Sequence, residues 1–164
     1  MPVHMHLKID GIEGESQKEG HAKEMELLSW NWSGHNTGSF AHGSGGGTGQ
    51  YGSSDVSFTK YIDKSSPKLF QACAKGTHIA NALLSVGKSG GDTKPYTFLT
   101  LKFEHCLISS HQTGGNSGSS DMYTESLTFN FTKITYEYFQ QDPKQGSVTS
   151  TGAVSYDLAQ AKAA

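Results

Sequence analysis

Apolar and polar positions alternate over most of the chain, and a period of two predicts strands. Met5, Leu7 and Ile9 alternate with polar or charged neighbours and lead into an Asp10-Gly11 turn. Over residues 22–33, Leu28, Trp30 and Trp32 share one parity while Ser29, Asn31 and Ser33 take the other. That predicts a second strand with one bulky face and one small polar face. Residues 55–62, carrying Val56, Phe58, Tyr61 and Ile62, read as a short third strand. Residues 79–86 and 96–108 flank a glycine-bearing hairpin loop at 88–92. Residues 125–139 form a long strand whose parity changes: Leu127, Phe129 and Phe131 are odd, Ile134, Tyr136 and Tyr138 even. The change predicts one extra residue near Thr132 and Lys133, a β-bulge where a sheet curls. Residues 152–158 add a last short strand.

One helix stands out. Ser66 offers an N-cap hydroxyl, Pro67 suits the first helical position, and Gly76 is a C-terminal stop. Leu69 with Cys73 and Phe70 with Ala74 are i,i+4 pairs. A helix of about ten residues is not stable alone, so its Leu69, Phe70 and Cys73 face is expected to dock on a sheet.

Residues 34–52 contain eight glycines in 19 positions. Loops beyond about 12–15 residues without structure are uncommon inside compact domains and are usually functional or disordered. With only Phe40 and Tyr51 as large apolar side chains, the stretch is expected to be either floppy or ordered by something outside the monomer.

The 164 residues suffice for one domain with its own core. Thirteen Lys and Arg against fifteen Asp and Glu give a net charge of −2, which argues against nucleic acid as the main partner, because phosphate affinity needs clustered cations. No run approaches the roughly 18 apolar residues of a membrane helix, so no membrane insertion is expected. The first residues lack the continuous apolar segment of a signal peptide. Folding in the cytoplasm is expected, and any export would use a route that reads no N-terminal signal.

Motif matches fail on context. Residues 47–52 match GxGxxG but lead into a strand, where a dinucleotide site needs a strand before and a helix after. Gly87-Lys88-Ser89 resembles the end of a P-loop, yet Ala82 stands where the earlier glycine belongs. Residues 87–91 match GxSxG, but a hairpin between two strands is no nucleophile elbow. His4 and His6 form at most half of a metal site, and nothing identifies further ligands among His21, His35, His42, His78, His105 and His111. No catalytic residue, metal or cofactor is therefore assigned. Cys73 and Cys106 read as small core residues.

Several segments, in order from residue 4 to 138, resemble the haemolysin-coregulated proteins (Hcp), tube subunits of bacterial type VI secretion systems. They are HMHLKIDGIEGES at 4–16, HAKE at 21–24, LSWNW at 28–32, DVSFTKYIDKSSPKL at 55–69 with Ala72-Cys73, SSHQTGG at 109–115, ESLTFNF at 125–131 and YEY at 136–138. FTKYIDKSSPKL is the most specific of them. The resemblance implies a mainly β fold over residues 1–164. Two curled antiparallel sheets would form a barrel-like sandwich with one packed helix, akin to phage tail-tube proteins. It further implies a homohexameric ring with a lumen, rings stacked into a tube, a contractile sheath that expels it, a spike at its tip and small effector proteins as cargo. Secretion through the apparatus would follow. Asn31 matches a position that is lumen-facing in the family and is the cargo-contact candidate. The glycine-rich loop is assigned to ring contacts, with His42, Gly45, Gly46, Gly47 and Tyr51 as candidates. The tail after Asp142 matches least. Two other readings compete: a β-sandwich carbohydrate-binding module using Trp30 and Trp32, and, last, a small hydrolase using Ser89 and a histidine.

Overall fold

The computed structural model describes residues 2–39, 47, 49–90, 93–118, 122–143 and 146–164. Along these residues run β1 (Val3–Ile9), β2 (Met25–Asn31), β3 (Gly34–Asn36), β4 (Tyr51–Ser53) and β5 (Val56–Tyr61). The helix α1 (Ser66–Lys75) follows, then β6 (Ile79–Gly90), β7 (Thr93–Thr113), β8 (Thr124–Gln141), β9 (Val148–Ser150), β10 (Val154–Asp157) and β11 (Lys162–Ala163). The strands pair in the order β8–β5–β2–β1–β6–β7, and β7 pairs back to β8, so the ladder closes into a six-stranded antiparallel barrel. Closure leaves no open edge in the barrel itself. β9 and β10 add to the outside of β8, with β11 beyond β10.

Inward parity fills the barrel. Phe58 packs edge-on against Phe129, with ring centroids 5.2 Å apart, and Phe103 lies 5.0 Å from Phe131. Leu7, Met25, Leu84, Leu101 and Leu127 complete a core closed to water. Tilted and edge-to-face aromatic pairs add to the area they bury.

The parity change read in β8 is real, but no extra residue produces it. The buried side switches from Phe131 to Ile134 in β8, from Cys106 to Phe103 in β7, and from Ile79 to Ala82 in β6. These residues are register neighbours, Ile79–Cys106–Phe131 on one side of the change and Ala82–Phe103–Ile134 on the other, and the register runs through unbroken. Three strands therefore change face together. His105, in the left-handed region at φ 53°, stands at the change in β7. The register shift between β7 and β8 falls instead between Ile108 and Ser110.

A bulge does occur in β2, between Leu27 and Ser29. Met25 and Leu27 face the core, Leu28 is thrown outward at 39% exposure, and Trp30 and Trp32 resume packing on the core from the other parity. The expected grouping of Leu28 with the tryptophans is corrected by that one residue.

The helix has the expected bounds. Proline stands in its first turn, and Gly76 ends it at φ 60°, its N–H reaching the carbonyls of Ala72 and Cys73. Ser65 rather than Ser66 is the N-cap residue. Leu69 and Ala72 are buried and Cys73 half-buried, but Phe70 is 62% exposed, contrary to expectation. Successive helical residues point about 100° apart, so docking the 69/72/73 stripe turns Phe70 outward.

Within the described residues, part of the glycine-rich stretch pairs with itself. Its two ends pair as β3 and β4, with Gly34 opposite Ser53, His35 opposite Gly52 and Asn36 opposite Tyr51, and Ser39 bridges Gly47 further out. The glycines make room for rings: a Cβ at Gly34 would overlap Tyr51, and one at Gly52 would overlap His35. The hairpin is tied to its own barrel. Tyr51 meets Tyr156 of β10 edge-on at 4.8 Å, and the Trp32 indole N–H donates to Ser53 Oγ at 2.8 Å.

Candidate functional site

Three places concentrate polar chemistry. The first is a buried charge network between β5, β8 and the start of α1. Lys60 lies on the inward parity of Val56 and Phe58, and Glu125 on that of Leu127 and Phe129, so alternation drives both charges inside. The Lys60 ammonium donates to Glu125 Oε1 at 2.6 Å, to Asp63 Oδ1 at 2.9 Å and to the Tyr61 carbonyl at 2.8 Å. Ser66 Oγ donates to Glu125 Oε1 at 2.6 Å, and His111 Nε2 meets Oε2 at 2.8 Å. Asp63 Oδ1 also accepts from the Ser65 N–H at 2.9 Å. Burial pushes the Glu125 carboxyl up, but the hydrogen bonds from Lys60, Ser66 and His111 outweigh it and hold the group below its ordinary range. Every charge is paired, and the network staples the helix start to the barrel.

The second is a cleft of about 210 Å³ at the β1–β6–β7 end, lined by His4, His6, Lys18, His21, Lys88 and Ser89 among others. Here the hydrolase reading meets its test, because Ser89 Oγ does bond to His4 Nε2. The third partner is wrong for it. His4 Nδ1 bonds to the Lys18 ammonium, which only donates. His4 must then carry its proton on Nε2 and donate it to Ser89, whereas a general base needs a lone pair aimed at the hydroxyl. The geometry leaves Ser89 without a base.

In the same cleft His6 is 2% exposed and stacks on His21, with ring centroids 4.3 Å apart and an interplanar angle of 2°. Burial first, then the charges of His21, Lys18 and His4, lower its pKa to about 4. Among the described residues no group of three or more His, Cys, Asp and Glu is placed to hold a metal ion.

The third place holds the assigned contact residues. Asn31 is the exposed last residue of β2, its carbonyl accepting from Ser57 Oγ at 3.4 Å. Gly47 forms the outer bridge of the hairpin, and Tyr51 is half-buried in its stem. His42, Gly45 and Gly46 lie outside the described residues. Trp30 and Trp32 are half-buried against the core, and Trp32 is engaged by Ser53, so they do not form the open ring platform a sugar needs.

The inward Lys60 and Glu125 went unremarked in the sequence. The signal was present: each shares the parity of core residues on a strand, where a lone charge is too costly to leave unpaired. Cys106 is buried as expected, and its thiol is pushed up to about 12 by burial, with Glu104 and Asp10 adding to the effect.

Residues 6–138 match the protein family described as type VI secretion system effector, Hcp. Protein hcp1 of Pseudomonas aeruginosa is 42% identical over 157 residues, which covers 95% of this chain and 94% of that protein. A solved structure of a type six secretion system protein superposes with a TM-score of 0.91 at 30% identity, covering 99% of this chain and 100% of that one. Hcp1 from Salmonella typhimurium gives 0.79 at 30% identity with 100% of both chains covered. A type VI secretion system effector from Yersinia pestis gives 0.72 at 35% identity, covering 93% and 98%.

Proposed function

The chain belongs to the Hcp family of type VI secretion proteins, and from that premise we propose that it is a structural subunit of the secretion tube. Six copies close into a ring, rings stack into a tube, and a contractile sheath expels the tube with its spike. Small effectors ride in the lumen. The protein works by assembly and not by turnover, and residues 1–164 act as one tube domain. The observation that carries this reading is a similarity that spans nearly the whole chain, on a barrel from which a hairpin projects.

Two features of the surface support self-association. Outward-facing apolar side chains are numerous on the barrel and helix, with Phe70, Met122, Val154 and Val3 each about half exposed or more. Apolar surface of this kind is covered when copies meet. The hairpin stem, β3 and β4, is seated on the barrel through Trp32, Tyr51 and Tyr156. A head-to-tail contact that closes by rotation yields a ring. In this arrangement Asn31 faces cargo, and His42, Gly45, Gly46, Gly47 and Tyr51 belong to the ring-contact segment.

Negative-stain electron microscopy of the purified protein, with its mass in solution by light scattering, tests the proposal. Rings with an open centre and a mass near six subunits are expected. A monomer that persists at high concentration would end it.

A further inference from the structure

The cleft around Ser89 has chemistry that the proposed tube role does not call on. Its hydrogen bonds run one way. The Lys18 ammonium donates to His4 Nδ1, His4 Nε2–H donates to Ser89 Oγ, and Ser89 keeps its own O–H to give. A fixed positive charge at the head of such a chain polarises the hydroxyl at its end. In the same cleft His6 Nε2 is buried and has no hydrogen-bond partner. A polar atom in that state is uncommon, because nearly all buried ones are paired. Lys18 and Lys88 are the charged cations of the lining, against Glu19 as its acid. The His21 Nδ1 is bonded to Glu24 at 2.8 Å, and Glu26, the register partner of His6, lines the adjoining groove.

The donors of this cleft call for a negatively charged oxygen. The chain from Lys18 ends in a donor, and the cleft lining holds Lys18 and Lys88 against Glu19, the Lys88 ammonium lying over the Phe98 ring at 4.7 Å. We propose that this cleft binds a small oxyanion, a phosphate or carboxylate group whose oxygens accept from Ser89 O–H and the Lys18 ammonium. The cleft, about 210 Å³, has room for a group of that size. A metal ion does not suit the site, since His4 is engaged through both ring nitrogens.

The test is a titration of the full-length protein with inorganic phosphate, and separately with acetate, at constant ionic strength, following the histidine ring signals by NMR. Saturable shifts of His4, His6 and His21 are expected, with His78, His105 and His111 unmoved as internal controls. Saturation by phosphate alone, or by acetate alone, identifies the ligand group, and either supports the site. Loss of one charge-assisted hydrogen bond in Lys18→Met should weaken binding about tenfold or more, while Lys18→Arg retains it. Ser89→Ala, which removes only a hydroxyl, should weaken binding about fivefold. Shifts that grow linearly, that spread over all histidines, or that are the same in Ser89→Ala as in the parent overturn the proposal. Should Lys18→Met not fold, the Ser89→Ala comparison decides alone. Failure here would leave the ring and tube reading untouched.

Discussion

Lys60 and Glu125 are register partners across β5 and β8, and their charged ends meet at 2.6 Å with each residue only 1% exposed. The pair is enclosed by the barrel wall and the start of α1, and it is shared with Asp63, Ser66 and His111. Such a network fixes how the helix sits on the barrel, since each member has its partner only in that arrangement.

Breaking the pair from one side leaves a buried charge uncompensated. Lys60→Met is expected to lower stability by about 3–5 kcal/mol, read from urea unfolding. Replacing both, as Lys60→Met with Glu125→Leu, should leave a protein less destabilised than the single lysine variant. A double variant that simply sums two large losses would show that the network's value is not mutual pairing.

Two groups give the protein a two-stage response to acid. His6 has a folded pKa near 4 against an ordinary 6.5, so as pH falls below 6.5 the unfolded chain takes the proton and the native state does not. Stability should drop by roughly 2 kcal/mol between pH 7 and pH 5. Glu125 acts lower. Its folded pKa is depressed from 4.5, so its contribution is full above that value and is lost as pH falls through the depressed one. Melting temperature against pH should show both slopes, and His6→Phe should flatten only the upper one.

The two thiols should behave differently. Cys106 is buried, with its pKa raised to about 12, whereas Cys73 is half-buried on the helix. The thiolate is the reactive form. Labelling of the native protein with a thiol reagent should modify Cys73 first and reach Cys106 only on unfolding, as mass spectrometry of the digested protein would show.

Deleting residues 43–49 shortens the segment that joins β3 to β4 and takes none of the buried core residues among those described. The melting temperature should change little, while ring stacking or secretion weakens. Unfolding of the shortened protein would remove the loop from the contact assignment.

Asn31→Arg should leave rings intact and alter cargo retention, because the position is exposed at the end of β2. Retention measured by co-purification with co-expressed small effectors, unchanged for each one tried, would take Asn31 off the lumen.

Local pattern carried much of this protein. Alternation marked the barrel strands, Pro67 and Gly76 bounded the helix, and the motif segments named the family. These follow from steric rules that act between residues a few positions apart. What those rules miss is set by partners distant in sequence. The bulge that expels Leu28 exists because β2 must match β5. The shared change of face in β6, β7 and β8 exists because three neighbours coil as one ladder. Phe70 is turned to solvent because β7 takes the opposite stripe of the helix. The stem of the glycine-rich hairpin rests on Tyr156 of β10, a partner distant in sequence. The candidate sites divide in the same way. The inward parity of Lys60 and Glu125 is present in the sequence though missed there, but that they face each other depended on the β5–β8 pairing, and that His4 meets Ser89 on the β1–β6 pairing. Backbone pairing across the sheet selects those neighbours, and a one-dimensional pattern has no means of counting them.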